Sequence, residues 1–430
     1  AKQRTHSNST TTDRVEERLC THPAASHTNT ATASTRTSLG SPNRISHSST
    51  GGSGTMTSTN APALFPKPVG FSVEYFDLVA KSLRTFVLTV FPDRKVQMVC
   101  GNKTFLSKTY AKDLVTTDLY IGGTVVVFSR ELSIVDYADE STRKYYESTQ
   151  TRGFVVVLSS TIRYLGDVIS CLQDGGGNEG NRRGPSVISN AKMFRLEGRE
   201  KRRSELPVPD IDMPQSGAAV ALEVILDSRD RGFEGLLGVV ERWREREGGV
   251  FASSTPAQAA ENARQMFQGN GGGVEQQPAD DNGERACTMC VVKPHIVRDG
   301  KLGDLLALVS ERGFEVTGMQ MMHLGEVGAE ELLRPYRGVV SYHADAVRHL
   351  KSGNCVALRL EKGEDVVEEF REACGPADPE VARALYPDTL RALLGVQQAT
   401  NAVHCTDLPE DGLLECHYVF GVLAKDRQGA

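Results

Sequence analysis

The stretch Leu302-Gly-Asp-Leu-Leu-Ala-Leu-Val-Ser-Glu-Arg-Gly-Phe-Glu-Val-Thr-Gly-Met-Gln-Met-Met322 decides the fold. Its first half repeats apolar residues at helical spacing through Arg312 and stops at Gly313, a residue type that ends helices. Its second half, Phe314 to Met322, has the length and composition of a strand. Working outward, Cys287 to Lys293 is an apolar strand. Val339 to Leu350 and Asp365 to Ala373 read as helices, with the strand Asn354 to Leu360 between them. Strands and helices alternating in this order predict a ferredoxin-like α/β sandwich.

Further upstream the pattern is looser but of the same kind. Gly153 to Leu158 is an apolar strand and Ile162 to Leu172 a helical stretch. Val220 to Leu226 is a strand, and Gly235 to Trp243 and Pro256 to Phe267 are helices. A Gly/Asn/Arg-rich insertion runs from Gly175 to Gly184. Earlier still, Phe71-Ser-Val-Glu-Tyr-Phe and Arg84-Thr-Phe-Val-Leu-Thr-Val-Phe alternate. Lys95 to Val99, Leu119 to Ile121, Thr124 to Phe128 and Leu132 to Tyr137 follow at short spacing. Period-two runs bounded by turn residues predict a small, mostly antiparallel β domain ending near Tyr137, with Tyr145 and Tyr146 in a linker. The fold class is therefore α+β and multidomain. Residues 1–69 form a Ser/Thr-rich tail too poor in apolar groups to offset its ordering entropy, so it is expected to be disordered. The β module spans 70–148, the looser α/β block 149–268, a Gly-rich linker 269–285 and the regular α/β block 286–425.

Composition narrows the function. The chain has 430 residues and a net charge of -6, with no concentrated basic surface of the kind nonspecific nucleic-acid binding needs. No apolar run approaches the roughly 20 residues of a membrane helix, and the N-terminus has no apolar core segment of the signal-peptide type. Nine cysteines scattered along the chain fit reduced thiols in the cytoplasm rather than a disulfide framework. Cys287-x-x-Cys290 is the close pair among them, and it reads as two residues of an apolar strand rather than half a zinc site.

The regular block also holds Lys293, Arg371, Arg391, Asn401, His404 and Glu415. A neutral imidazole is a nucleophile near pH 7 and can accept a phosphoryl group. The migrating group carries its charge on peripheral oxygens, so fixed cations must surround it, and Arg adds planar bidentate geometry. A carboxylate on the far side of the ring can set its tautomer. Spacing alone does not show that these six converge.

Val292-Lys-Pro-His, Gly303, Arg312-Gly-Phe, Ser352-Gly, Gly375-Pro-Ala-Asp-Pro, Thr389-Leu-Arg-Ala-Leu-Leu-Gly and Asn401-Ala-Val-His-Cys-Thr-Asp occur in one order. In that order they resemble a complete nucleoside diphosphate kinase domain over about residues 286 to 425. Val73-Glu-Tyr-Phe-Asp, Lys103-Thr-Phe-Leu, Leu119-Tyr-Ile-Gly, Phe128-Ser-Arg-Glu-Leu and Ile134-Val-Asp-Tyr-Ala-Asp resemble the DM-ten module of axonemal proteins. A DM-ten module followed by two kinase-like domains is the order found in the axonemal branch of the kinase family.

The resemblance implies roles for individual residues. His404 is the expected phospho-acceptor and Glu415 its orienting carboxylate. Lys293 is expected to contact phosphate and ribose, Arg371 and Arg391 the phosphates, and Asn401 a ribose hydroxyl. Thr406 stands for the usual Ser after the histidine and keeps its hydroxyl. Tyr336 is the expected tyrosine near the phosphate, and Tyr342 the aromatic base platform. Mg²⁺ is expected to arrive with the nucleotide. Nucleoside di- and triphosphates are the implied ligands, and tubulin of the doublet microtubule with its neighbouring axonemal proteins the implied partners. Localisation would be the cytoskeleton of a cilium or flagellum. Two departures stand out: His295 replaces the family's Asp after Lys-Pro, and Ala377 replaces a phosphate-binding Thr. The block 149–268 resembles a degenerate copy of the same domain. Leu158-Ser-Ser occupies the place of Lys-Pro and Gly249-Val-Phe-Ala-Ser-Ser that of the histidine segment, and no histidine lies between His47 and His295.

Overall fold

The computed structural model describes residues 65–77, 82–111, 114, 118–128, 130–174, 186–196, 217–228, 232–268 and 285–423. Most of the expected tail, the insertion at 175–184 and most of the linker lie outside these residues.

The first module is an antiparallel six-stranded sheet. Its strands are β1 (Val69–Asp77), β2 (Ser82–Val90), β3 (Lys95–Cys100), β4 (Lys103–Tyr110), β5 (Thr124–Val127) and β6 (Arg130–Tyr137), in the order β4-β3-β2-β1-β6-β5. Alternation buries one face: Phe71, Val73, Phe86, Leu88, Val96, Met98, Leu132 and Ile134 form its core.

Three expectations change here. Phe65, inside the stretch assigned to the tail, is buried in this core against Tyr145. Leu119 to Ile121 is a turn and not a strand. Gly123 follows so tightly that a Cβ on it would lie 2.4 Å from the Asp118 carbonyl, and Leu119 and Tyr120 plug the core instead. Tyr145 and Tyr146 lie on a helix rather than in a linker: α1, Glu140–Thr149. Asp139 caps it, its carboxylate accepting from Thr142 N–H at 2.8 Å. The helix folds back so that the Tyr146 ring packs on Phe71 and Tyr137.

The rest of the chain shares one antiparallel eight-stranded sheet. Its strands are β7 (Gln150–Leu158), β8 (Val187–Leu196), β9 (Gly217–Asp227), β10 (Val250–Ala252), β11 (Thr288–Val292), β12 (Glu315–His323), β13 (Asn354–Glu361) and β14 (Val403–Cys405). Their order is β10-β7-β9-β8-β12-β13-β11-β14. Read from each outer edge inward, both halves run fourth strand, first, third, second. That is the ferredoxin-like arrangement, and the two halves abut through their second strands, where Lys192 pairs with Gln320.

The six expected helices are present with shifted ends: α2 (Leu165–Gln173), α3 (Gly232–Glu247), α4 (Pro256–Gln268), α6 (Leu302–Glu311), α8 (His343–Leu350) and α9 (Val366–Cys374). Five short helices that the sequence pattern does not mark join them: α5 (Pro294–Arg298), α7 (Glu326–Leu332), α10 (Pro379–Leu385), α11 (Leu390–Leu394) and α12 (Gly412–Tyr418). Helix α8 begins at His343 rather than Val339, because the preceding residues are held in turns: Val340 N–H donates to the Tyr336 carbonyl at 3.2 Å and His343 N–H to the Val340 carbonyl at 3.4 Å.

Helices α2 and α6 cross the seam back to back, each with a Leu-Gly-Asp triplet. A Cβ on Gly166 would lie 2.3 Å from the Ala307 nitrogen, and one on Gly303 2.5 Å from the Ser170 nitrogen, so both glycines are needed for this approach. One hydrophobic core runs through the contact, from Val155 and Leu222 on one side to Leu305, Leu358 and Val403 on the other.

The β module is tied to both halves. Arg152 of β7 donates to the Ile121 carbonyl at 2.7 Å and pairs with Glu223, while His323 of β12 bonds the Glu131 carboxylate. Strand β8 escaped the sequence reading because Ser189, Asn190 and Lys192 disguise it. Ser189 is satisfied internally, donating to the Glu223 carboxylate at 2.9 Å.

Candidate active site

His404 sits in the middle of β14, opposite Val291 of β11, and is 7% exposed. The strand is held at both ends. Lys293 N–H donates to the Ala402 carbonyl at 2.9 Å and Thr406 N–H to the Met289 carbonyl at 3.2 Å. Ala402, just before the strand, takes a φ of 74°, a left-handed conformation that costs a non-glycine residue roughly 1 kcal/mol or more. Strained backbone of this kind concentrates at functional sites.

Burial pushes the His404 imidazole down to about 4, with Lys293 and Arg391 acting in the same direction and Asp407 against it. The ring is therefore neutral at pH 7, the form a nucleophile requires. Its Nε2 is buried with no hydrogen-bond partner. The Tyr336 ring stands edge-on to it, centroids 5.8 Å apart.

The other predicted residues come to the same place. Lys293 follows β11, and its Nζ donates to the Ala399 carbonyl at 3.0 Å. Burial, with help from Arg391, lowers its ammonium to about 7, so an arriving phosphate would find it ready to take up a proton. Arg391 of α11 donates to the Gly375 carbonyl at 2.7 Å and the Val403 carbonyl at 3.3 Å. Arg371 of α9 donates to the Asp407 carbonyl and lies 3.6 Å from its carboxylate. Asn401 donates to the Ala377 carbonyl at 2.9 Å. Tyr342 is half-buried beside the same charges, and its carbonyl accepts from Ala346 N–H at 2.9 Å at the start of α8.

Glu415 of α12 accepts from Thr406, whose hydroxyl oxygen also accepts from Met289 N–H at 3.0 Å. No hydrogen bond joins Glu415 to His404. Burial raises the Glu415 carboxyl to about 7. Asn401 Oδ1, Arg391 Nε, His404 Nε2 and Glu415 Oε2 are all buried without partners. Buried polar groups are normally satisfied, so four orphans on neighbouring site residues mark a place where a polar ligand belongs.

Two groups carried no role in the sequence reading. Asp407 accepts from Tyr336 Oη and from Arg371, and its only signal was its place three residues after His404. His295, noted only as a departure, pairs its Nδ1 with His349 Nε2 at 2.8 Å. Burial pushes these two imidazoles down to about 4 and about 3.

The sequence profile of the nucleoside diphosphate kinases matches residues 286–423. A mouse protein named nucleoside diphosphate kinase homolog 7 is 33% identical over 401 residues, 86% of this chain and 98% of that protein. The chain belongs to the nucleoside diphosphate kinase homolog 7 family. The rat homolog 7 is 33% identical over 394 residues, 84% of this chain and 96% of its own. A nucleoside diphosphate kinase of Aquifex aeolicus is 33% identical over 136 residues, 32% of this chain and 94% of that enzyme. The solved Aquifex structure covers 32% of this chain with a TM-score of 0.30. Homolog 7 proteins are thus matched along nearly their whole length, and the single-domain bacterial kinase over about a third of this chain. The region that matches the family's profile is the half with the ferredoxin-like strand order described above. Nucleotide binding with Mg²⁺ is general to that family.

The hydrogen bonds that place β14 have counterparts in the other half. Ser253 N–H donates to the Phe154 carbonyl as Thr406 does to Met289, and Leu158 N–H to the Gly249 carbonyl as Lys293 does to Ala402. On this register Phe251 occupies the position of His404, Leu158 that of Lys293, Gly248 that of Asn401 and Gly249 that of Ala402. Gly249 takes a φ of 64°, the same left-handed turn without the methyl group. Phe251 packs beside Phe154, Val156, Ala259 and Phe267, an apolar cluster where the C-terminal half carries charge.

Proposed function

We propose that the C-terminal half transfers phosphoryl groups between nucleoside tri- and diphosphates through a phosphohistidine at His404. The observation that carries this reading is a neutral, enclosed imidazole beside Lys293 and Arg391, at a site with four unsatisfied polar atoms. A ring nitrogen attacks the terminal phosphorus, the nucleoside diphosphate leaves, and a second diphosphate takes the group back. Lys293, Arg371 and Arg391 offset the charge on the moving oxygens. Among the described residues no three His, Cys, Asp or Glu side chains converge as a cation cage. Lys293, Arg371 and Arg391 are cationic donors suited to phosphate oxygens rather than to a metal, so Mg²⁺ would be carried in on the phosphates, where it neutralises their charge. Acid-labile labelling of the full chain by γ-labelled ATP tests the proposal. The wild type labels and His404→Ala does not; equal labelling of both, or of neither, rejects His404 as acceptor.

A second, compatible reading is architectural: the chain is a component of the ciliary or flagellar axoneme, seated inside the doublet microtubule. Phe251 in the histidine position favours it, because a half without an acceptor contributes shape and packing rather than turnover. The half 149–268 is on this reading a degenerate kinase domain, and the β module a DM-ten module that anchors the chain. Several docking surfaces on one chain raise avidity for a repeating lattice. None of the described helices is long and apolar enough to cross a membrane. A tagged copy should light up along the axoneme; signal confined to the cell body would sink this reading.

A further inference from the structure

Cys287 and Cys416 lie 129 residues apart in sequence, with their sulfurs 3.8 Å apart. Both are free thiols, 3% and 2% exposed. Cys287 directly precedes β11, the inner strand that leads to Lys293. Cys416 lies on α12, one residue after Glu415. The two elements are in backbone contact as well: a Cβ on Gly412, the first residue of α12, would lie 2.2 Å from the Cys287 carbonyl. The arrangement is asymmetric. Arg359 of β13 is within hydrogen-bonding reach of Cys287, and its guanidinium is 3.2 Å from Glu361. With the Cys416 S–H and the Arg359 cation beside it, Cys287 is the thiol of the pair that ionises more easily.

We infer that Cys287 and Cys416 are a redox-active thiol pair that closes into a disulfide by exchange with a small-molecule disulfide. The Cys287 thiolate attacks one sulfur of that oxidant, forming a mixed disulfide and releasing one thiolate. Cys416 loses its proton and attacks the Cys287 sulfur, expelling the second thiolate. Two protein thiols are oxidised and one external disulfide is reduced to two thiols. The sulfurs need to close from contact to bonding distance, which requires a small shift of α12 toward β11. Arg285, two residues before Cys287, is exposed, so the segment that leads into the pair reaches the surface. The bond would fix the helix that carries Glu415 against the strand that leads to Lys293. Cys374 and Cys405 are also neighbours, but the Cys405 sulfur already accepts from Arg391 at 3.6 Å.

The test uses the full chain equilibrated with glutathione disulfide, once natively and once through urea unfolding and refolding in the same buffer. Remaining thiols are alkylated, and the digest is mapped by mass spectrometry without reduction. The inference expects a linked peptide pair joining Cys287 to Cys416, lighter by two hydrogen atoms and reversed by dithiothreitol. It also expects slower amide exchange over 412–418 in the oxidised protein. In Cys416→Ala the reaction should stop as a glutathione adduct on Cys287. Three results would overturn it: a stable glutathione adduct on Cys287 with Cys416 free in the wild type, a cross-link joining other cysteines, or both sulfurs recovered alkylated after the refolding arm.

Discussion

Residues 150–268 and 288–423 build the same four-stranded arrangement, meet across a near-symmetric seam, and differ most where chemistry would occur. In one half a left-handed turn at Ala402 leads into Val403-His404-Cys405, with Lys293 and Arg391 alongside. In the other, the same turn at Gly249 leads into Val250-Phe251-Ala252, with Leu158 alongside and an apolar cluster filling the space. On the proposed function, the backbone is therefore not what separates a reactive half from an inert one. A few side chains differ: Lys293, Arg391 and His404 with unsatisfied polar atoms on one side, Leu158 and Phe251 in an apolar cluster on the other.

The largest effect expected within this comparison is at Arg391. Arg391→Ala removes a cation beside His404 and the bonds to Gly375 and Val403, which have no counterpart among the described residues of the other half. Losing one such donor costs about 3 kcal/mol of transition-state stabilisation, roughly a hundredfold in rate. Single-turnover labelling kinetics should show it. A loss under about threefold would mean that Arg391 is only structural.

Acid should separate the halves next. His404 titrates at about 4 in the folded chain against a reference of 6.5. As pH falls through this window the unfolded chain takes up a proton that the folded chain refuses, so stability drops. The limit is roughly 3 kcal/mol for His404 alone. His295 and His349 act in the same direction. Glu415 acts oppositely: its carboxyl is raised to about 7, so its contribution is lost as pH rises toward that value. The half 150–268 holds no histidine. Amide exchange at pH 5 should therefore loosen β11 and β14 before β7 and β9, and equal loosening would contradict these assignments.

The matched turns predict a smaller and opposite pair of effects. Gly249→Ala places a Cβ 2.4 Å from Thr161 Oγ1 on left-handed backbone and should destabilise by about 2 kcal/mol. Ala402→Gly relieves about 1 kcal/mol of strain and gives back most of it in chain entropy and lost packing. Urea midpoints measure both, and equal losses would show that the turns are not equivalent. The smallest expected effect is none: Phe251→His should add no second acid-labile phosphate, because Leu158 and Gly248 supply neither cation nor amide.

The regular half was legible because long apolar helices end at glycines and because the histidine segment carries several unusual residues in order. Its strands fall within a residue or two of where the pattern puts them. Strand β8 was not legible, since a seam strand paired on both sides can bury Ser189 and half-bury Lys192, which read as surface. The Tyr145–Tyr146 helix was missed because its signal, Asp139 before Thr142, is local, while its reason, the Tyr146 ring on Phe71, is not. In the site, the predicted residues converge around His404, but the Asp407 contacts and the His295–His349 pair depend on distant segments meeting. The pairing of Phe251 with His404 needed the register of two strand pairs; sequence placed the segment and structure placed the residue.

The central claim is that this near-symmetric chain carries chemistry in one half only. Its most direct test is to saturate the full chain with γ-labelled ATP, quantify acid-labile phosphate and map the labelled peptide. The account predicts at most one phosphate per chain, all of it on the peptide containing His404. Label on any peptide between 150 and 268, or none on the His404 peptide, would contradict it.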